Sequence, residues 1–370
     1  MKIRSLLAAI ALLASPFLAA QAPAQEVKIG VAQVFEGPSG FYGDAALKGM
    51  TVALEMLNER NAFKGKKIVF VTEETQGRPP VATAAIRKLA GQSDILAIVG
   101  PTRSVEAIAA APIANQAQIP MIAQASGGKW PQPPGEWVFK LAMPAYENAA
   151  LMQAVADRLK PKTMAVMYDL DDEASLSALD DIKAQARRLN IAIVATEAHR
   201  GNDVDMAPQI SRVRAANPDI LYYASKAETG GLIIRTARER GFKAPIVAWP
   251  APGGIEKVAK EAADGVISQS ALDPDSPDPV VRDFVTRFAK KYPGVKPDHY
   301  HGYGYDAMLL LADAMNRAGA TPTRQSLRDA IASTKDLKGV TGTLSWTGSE
   351  VTRSTAALVV MQKGAWTTYK

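Results

Sequence analysis

The chain has 370 residues, 47% of them hydrophobic and 22% charged, enough to bury two hydrophobic cores rather than one. Cysteine is absent, which excludes disulfides, thiolate nucleophiles, iron–sulfur clusters and zinc–thiolate sites. The 43 basic and 37 acidic residues give a formal charge of +6, spread without a dense Lys/Arg stripe, so nucleic acid is not an expected partner.

Residues 1–24 differ in character from the rest of the chain. Lys2 and Arg4 precede the apolar run Leu6-Leu7-Ala8-Ala9-Ile10-Ala11-Leu12-Leu13-Ala14, and small residues lead to Gln21-Ala22-Pro23-Ala24. Charged start, apolar run and Ala-x-Ala exit are those of a secretory signal peptide, cleaved after Ala24 or Ala22. The other reading, a membrane anchor, is disfavoured because the run is short for ~30 Å of hydrocarbon and is broken at Pro16. With no cysteine to acylate, a lipoprotein is excluded. The mature chain is expected in the periplasm.

From residue 27 short β-branched runs alternate with helical periodicity. A strand over 27–34 opens into a glycine-rich turn. Asp44 is placed to cap a helix in which Leu47, Met50, Leu54 and Leu57 recur at three- and four-residue steps. Strands follow over 67–72, 95–99 and 120–123, separated by helices near 80–90, with Pro79 or Pro80 in the first turn, and 104–115. Trp130-Pro131-Gln132-Pro133-Pro134 breaks the rhythm before an extended segment at 138–141. The cycle then restarts, with helices near 147–159, 175–189, 203–214 and 228–240 alternating with strands over 163–168, 191–196, 220–224 and 246–248. A short helix near 255–260 precedes a strand at 265–269.

Asp273-Pro274-Asp275-Ser276-Pro277-Asp278-Pro279 reads as a crossover, followed by helices near 280–291, 303–316 and 323–333 and strands over 342–346 and 356–361. Apolar strands alternating with helices predict an α/β fold with parallel sheets covered on both faces. The tail has too few strands for a third domain and is expected to complete the earlier ones. The division read from this pattern is 25–142 with 273–347 for one lobe and 143–272 with 348–370 for the other, with three crossings beside a cleft.

Several constellations could carry chemistry. Gly37-Pro38-Ser39-Gly40-Phe41-Tyr42-Gly43 is neither a dinucleotide fingerprint nor a phosphate loop. It is either tight geometry alone or a turn that offers Tyr42 to the cleft from the carboxyl end of a parallel strand. Pro101-Thr102-Arg103-Ser104 begins a helix, and Ala123-Gln124-Ala125-Ser126-Gly127-Gly128 comes after the next strand. Both place hydroxyls and unpaired N–H groups where an anion is favoured, although Ser104 could be a helix cap only. Tyr168-Asp169-Leu170-Asp171-Asp172-Glu173 lacks the calcium-loop spacing and reads as a solvated acidic loop or a source of one or two ligand contacts. Tyr222 and Tyr223 precede Ser225-Lys226-Ala227-Glu228, and Trp249 heads Trp249-Pro250-Ala251-Pro252. Such aromatics serve a cleft wall or a core equally well. In His299-Tyr300-His301, an extended backbone would put both histidines on one face, but no third ligand is near, so no metal is expected. There is no Gly-x-Ser-x-Gly elbow and no singled-out acid pair. Neither catalysis nor a cofactor is expected.

Over nearly its full mature length the chain resembles the type I periplasmic solute-binding proteins of the Leu/Ile/Val-binding family, which serve ABC transporters. The resemblance is carried by Val27-Lys28-Ile29-Gly30-Val31, the Gly37–Gly43 turn leading to Lys48-Gly49, Ile98-Val99-Gly100, Pro120-Met121-Ile122, the strand over 219–223 and His301-Gly302-Tyr303-Gly304-Tyr305-Asp306. It implies two Rossmann-like lobes, three hinge crossings, one ligand in the cleft and a membrane permease as partner of a monomer.

By this resemblance Ser104 and Ala125-Ser126-Gly127 match carboxylate-holding segments and Tyr42 a side-chain contact. Glu173 falls near a position that often carries tyrosine. Lys226, Trp249 and Tyr303 complete the candidate set. The acid that grips an α-ammonium in amino-acid binders falls at Ala251, and Gly127 replaces a usual threonine. The expected ligand is therefore a small carboxylate with an apolar or aromatic body, an aromatic acid or 2-keto acid. The alternative is a branched-chain or other hydrophobic amino acid, its ammonium met by Asp171, Asp172, Glu173 or Glu228. An exported hydrolase and a sensory subunit are the remaining readings of the same fold.

Overall fold

The computed structural model describes residues 25–370 except 38, 126–129, 131–132, 145–146, 250–252 and 355. The expected leader and the candidates Ser126, Gly127 and Ala251 lie outside the described residues. The first series contains β1 (Glu26–Gln33), α1 (Gly40–Glu59), β2 (Lys67–Glu74), α2 (Pro79–Ala90), β3 (Ile95–Val99), α3 (Ser104–Gln116), β4 (Met121–Ala123) and β5 (Val138–Lys140). Its strands form a parallel sheet in the order β2-β1-β3-β4-β5. The second series contains α4 (Ala149–Leu159), β6 (Thr163–Asp169), α5 (Glu173–Arg188), β7 (Ala192–His199), α6 (Ala207–Ala215), β8 (Ile220–Ala224), α7 (Ala227–Glu239), β9 (Ile246–Ala248), α8 (Ile255–Ala259) and β10 (Ile267–Ser270).

The tail returns to both. After α9 (Pro279–Lys291), α10 (His299–Arg317) and α11 (Arg324–Ala332), a small antiparallel sheet forms from β11 (Leu337–Gly339), β12 (Gly342–Thr347) and β13 (Glu350–Arg353). Then β14 (Ala357–Gln362) and β15 (Ala365–Thr368) extend the second sheet, whose order is β15-β14-β10-β9-β8-β6-β7. The result is the expected pair of α/β lobes. The expected division at 347/348 falls in the turn of the β12–β13 hairpin. That turn is fastened to the first lobe: the Lys140 amide donates to the Ser349 carbonyl at 2.8 Å, and the buried Lys140 ammonium pairs with Glu350 at 2.9 Å.

Two local expectations are corrected. Asp44 does not cap α1, which starts earlier at Gly40; it sits a turn inside and pairs with Lys48 at 2.5 Å. The early start is permitted by the turn's glycines, since a Cβ on Gly40 would lie 2.3 Å from the Phe35 carbonyl oxygen and one on Gly43 2.2 Å from that of Val34. His299-Tyr300-His301 is not extended but forms the first turn of α10. Asp298 fixes this start by accepting from the Tyr300 and His301 amides, while the His301 ring closes a capping box.

The conspicuous glycines of the tail motif are packing devices. A Cβ on Gly304 would stand 2.0 Å from the Ala46 carbonyl oxygen, and one on Gly49 1.8 Å from that of His301. Thus α1 and α10 cross backbone against backbone. Tyr303, a candidate ligand contact, instead lies buried at the hinge, where its hydroxyl accepts from the Met143 amide at 3.1 Å. Asp306 accepts from the Val340 amide at 2.7 Å and the Thr341 amide at 2.9 Å, tying α10 to the turn before β12. Gly304→Ala is expected to lower unfolding free energy by at least ~2 kcal/mol, because the obstructing atoms are backbone and cannot rotate away. Urea denaturation checks this, and wild-type stability in the variant would mean that the helices separate freely.

Candidate ligand-binding site

The connections after the parallel strands β1, β3, β6, β8 and β9, drawn from both sheets, meet around one cleft. A narrow cavity there is walled by Tyr42, Thr102, Arg103, Ser104 and Val105 from the β1–α1 and β3–α3 connections. Across it stand Asp172 and Ala174 at the start of α5, Lys226 and Trp249, while Tyr300 of α10 stands beside Tyr42. Arg103, Val105 and Lys226 also border an adjoining polar compartment of about 440 Å³.

The first lobe supplies donors. Ser104 is the first residue of α3, whose opening turn leaves N–H groups without intrahelical acceptors. The Thr102 hydroxyl and Arg103 Nε are buried with no hydrogen-bond partner, while Arg103 Nη1 donates to the Gly77 carbonyl at 3.0 Å. One acid sits behind this anion-friendly turn. Glu106 is fully buried, and burial pushes its carboxyl up to about 7, outweighing the nearby Thr75 hydroxyl and Arg78 amide, neither of which closes a full hydrogen bond. Near neutral pH it therefore repels an incoming carboxylate only in part.

The second lobe supplies a charge pair. Asp172 caps α5, accepting from the Ala174 amide at 2.9 Å, and its other oxygen meets the Lys226 ammonium at 2.8 Å. The side chains are 5% and 19% exposed, so the pair is largely removed from water. The apolar walls are aromatic: Tyr42 and Tyr300 meet edge-on at 4.8 Å, and burial drives both phenols upward, keeping them neutral.

The sequence candidates divide accordingly. Tyr42, Ser104, Lys226 and Trp249 line the cavity together; Ala125 is buried but does not line it. Glu173 does not line it either, because helix α5 begins at that residue and leaves its cap, Asp172, in the wall. Asp171 pairs with Arg200 at 2.7 Å, and Glu228 accepts from Ser39 at 2.8 Å. Tyr222 and Tyr223 belong to the core. Sequence reasoning passed over Thr102, Arg103 and Tyr300 as cavity walls; Thr102 and Arg103 stand in the loop already noted for Ser104. The buried Ser225 hydroxyl lies 2.6 Å from His199 Nε2, but Nδ1 faces the Arg200 carbonyl rather than a carboxylate, so no aligned triad is built. Among the described residues no group of His, Cys, Asp and Glu is arranged to hold a metal ion.

The same architecture recurs among known proteins. The chain matches the family described as periplasmic binding protein over residues 26–365. Leu/Ile/Val-binding protein homolog 3 of Brucella melitensis is 24% identical over 333 residues, covering 88% of this chain and 89% of that one. An amino acid binding protein of Pseudomonas aeruginosa is 25% identical over 303 residues, covering 80% and 79%. A leucine binding protein from Thermotoga maritima superposes with a TM-score of 0.83 at 24% identity, covering 93% of this chain and 98% of that one. The branched-chain amino acid transporter substrate binding protein LivJ from Streptococcus pneumoniae, in complex with isoleucine, gives 0.84 at 23%, covering 92% and 98%. These two structures share the fold.

Glu106 makes stability depend on pH in a defined direction. Its folded pKa lies above its ordinary value, so the folded state binds the extra proton and stability falls as pH rises from about 4.5 to about 7. Urea denaturation should show wild type losing ~1–3 kcal/mol across this window and Glu106→Gln losing that part of the slope. An unchanged slope in the variant would mean that other groups carry it.

Proposed function

The chain belongs to the periplasmic binding protein family, and from that premise we propose that it captures a hydrophobic α-amino acid between its lobes. It is a periplasmic solute-binding protein of an ABC importer, related to the Leu/Ile/Val-binding proteins, and its role is transport rather than catalysis. Its partners are a small-molecule ligand and a membrane permease.

The observation that carries the ligand reading is the Asp172–Lys226 pair in the cavity wall, facing the start of α3. Side by side, the two residues offer the complement of a zwitterion. Asp172 receives the ammonium; the first turn of α3, with Thr102, Ser104 and Lys226, receives the carboxylate. Tyr42, Tyr300 and Trp249 wall the side chain. An ammonium left unpaired in a closed cleft costs several kcal/mol, and Asp172 removes that objection without any acid at Ala251. Closure then excludes water and strengthens each of these contacts. The names of the relatives point the same way, since they are Leu/Ile/Val-binding homologues and an amino acid binding protein.

A second reading keeps one specific observation on its side. Arg103 and Lys226 outnumber Asp172 among the charged groups of the cavity, which favours an amine-free aromatic or 2-keto acid. Isothermal titration of ligand-stripped protein with leucine, valine and phenylalanine against their 2-keto acids and benzoate separates the two. The amino acids are expected to bind at least tenfold tighter, a difference of about 1.4 kcal/mol, with the preference lost in Asp172→Asn. Tighter binding of the keto acids or benzoate would select the second reading.

A further inference from the structure

Among the described residues, two hydrogen bonds span the cleft beside the ligand cavity, both joining the start of α1 to the start of α7. The Ser39 hydroxyl donates to Glu228 Oε1 at 2.8 Å, and the Ala227 amide donates to the Tyr42 hydroxyl at 3.4 Å. Tyr42 is a wall of the narrow cavity, whereas Ser39 and Glu228 line the adjoining compartment. Their positions are unusual for their local roles. Ser39 occupies the cap position of α1, where a serine ordinarily bonds its own helix, yet it makes no cap bond and reaches the opposite lobe. Glu228 stands in the first turn of α7, where the helix dipole favours its negative charge and the serine meets it part-buried.

The bond exists only while the lobes are closed. When they part, Ser39 is free to cap α1 and Glu228 is free to meet water. We propose that Ser39 and Glu228 form an interlobe latch whose own bond holds the cleft shut in the absence of ligand. As positioning residues they set the ratio of closed to open protein, and through it the apparent affinity. The assignment explains why Glu228, one of the acids that could have met an ammonium, is engaged elsewhere. It rests on the cleft being a site that closes, not on which ligand fills it, so it is tested without ligand.

The chain contains no cysteine, so paired spin labels can be introduced cleanly at Ala84→Cys on the first lobe and Val204→Cys on the second, both exposed. Double electron–electron resonance on the ligand-stripped full-length mature protein reads the closed and open populations. Ser39→Ala and Glu228→Ala should each lower the closed-to-open ratio about fivefold, the scale of one part-buried hydrogen bond to a charged acceptor. The double variant should go no further than either single one. Glu228→Gln, which keeps an acceptor oxygen, should open the cleft less than Glu228→Ala. Unchanged thermal midpoints would separate a latch from a general packing role. Distance distributions unaffected by either alanine, or effects that add in the double variant, would overturn the proposal.

Discussion

The backbone-to-backbone crossing of α1 and α10 is the constraint on which the site depends. Gly49 and Gly304 let the two helices approach until carbonyl oxygens occupy the space where a Cβ would stand. This joins the tail of the chain to its beginning and makes the first lobe from segments far apart in sequence. It also decides the aromatic wall, because Tyr42 lies in the first turn of α1 and Tyr300 in the first turn of α10. With the axes locked, the rings meet edge-on and both line one cavity. Asp306, holding the turn before β12, and Tyr303, holding the first crossing at Met143, keep the same helix fixed to the hinge.

Against that wall the charges are distributed between lobes. The first lobe contributes helix-start donors and a partly neutralised Glu106; the second contributes Asp172 and Lys226, each satisfied by the other. Neither lobe alone surrounds a ligand. Recognition therefore requires closure, and closure is where the interlobe bonds of Ser39 and Tyr42 enter. The second lobe's charges are matched to each other before any ligand arrives, whereas the first lobe's Thr102 hydroxyl and Arg103 Nε are left without a partner within the protein.

Much of this was legible in the sequence. Alternating apolar strands and helices revealed two parallel-sheet lobes, and the turn-rich crossover at 273–279 marked a return of the chain. The loops bearing Tyr42, Ser104, Lys226 and Trp249 were legible because parallel strands send their carboxyl ends to the cleft. What escaped was decided by tertiary packing or by single helix starts. Asp172 and Glu173 are adjacent acids, and only the cap of α5 determines which one faces the cavity. Tyr303 and Tyr300 are one helical turn apart, yet one fastens the hinge and the other lines the site. The histidines at 299 and 301 changed role because Asp298 starts a helix where an extended segment had been expected.

At the centre stands the claim that the second lobe meets an ammonium through Asp172 while the first meets a carboxylate at the start of α3. Native mass spectrometry of protein purified from periplasm without added ligand, with the released compound identified by its fragmentation, tests it most directly. The expected result is a hydrophobic α-amino acid retained by the wild type and absent from Asp172→Asn. Retention of an amine-free carboxylate by both proteins would contradict it.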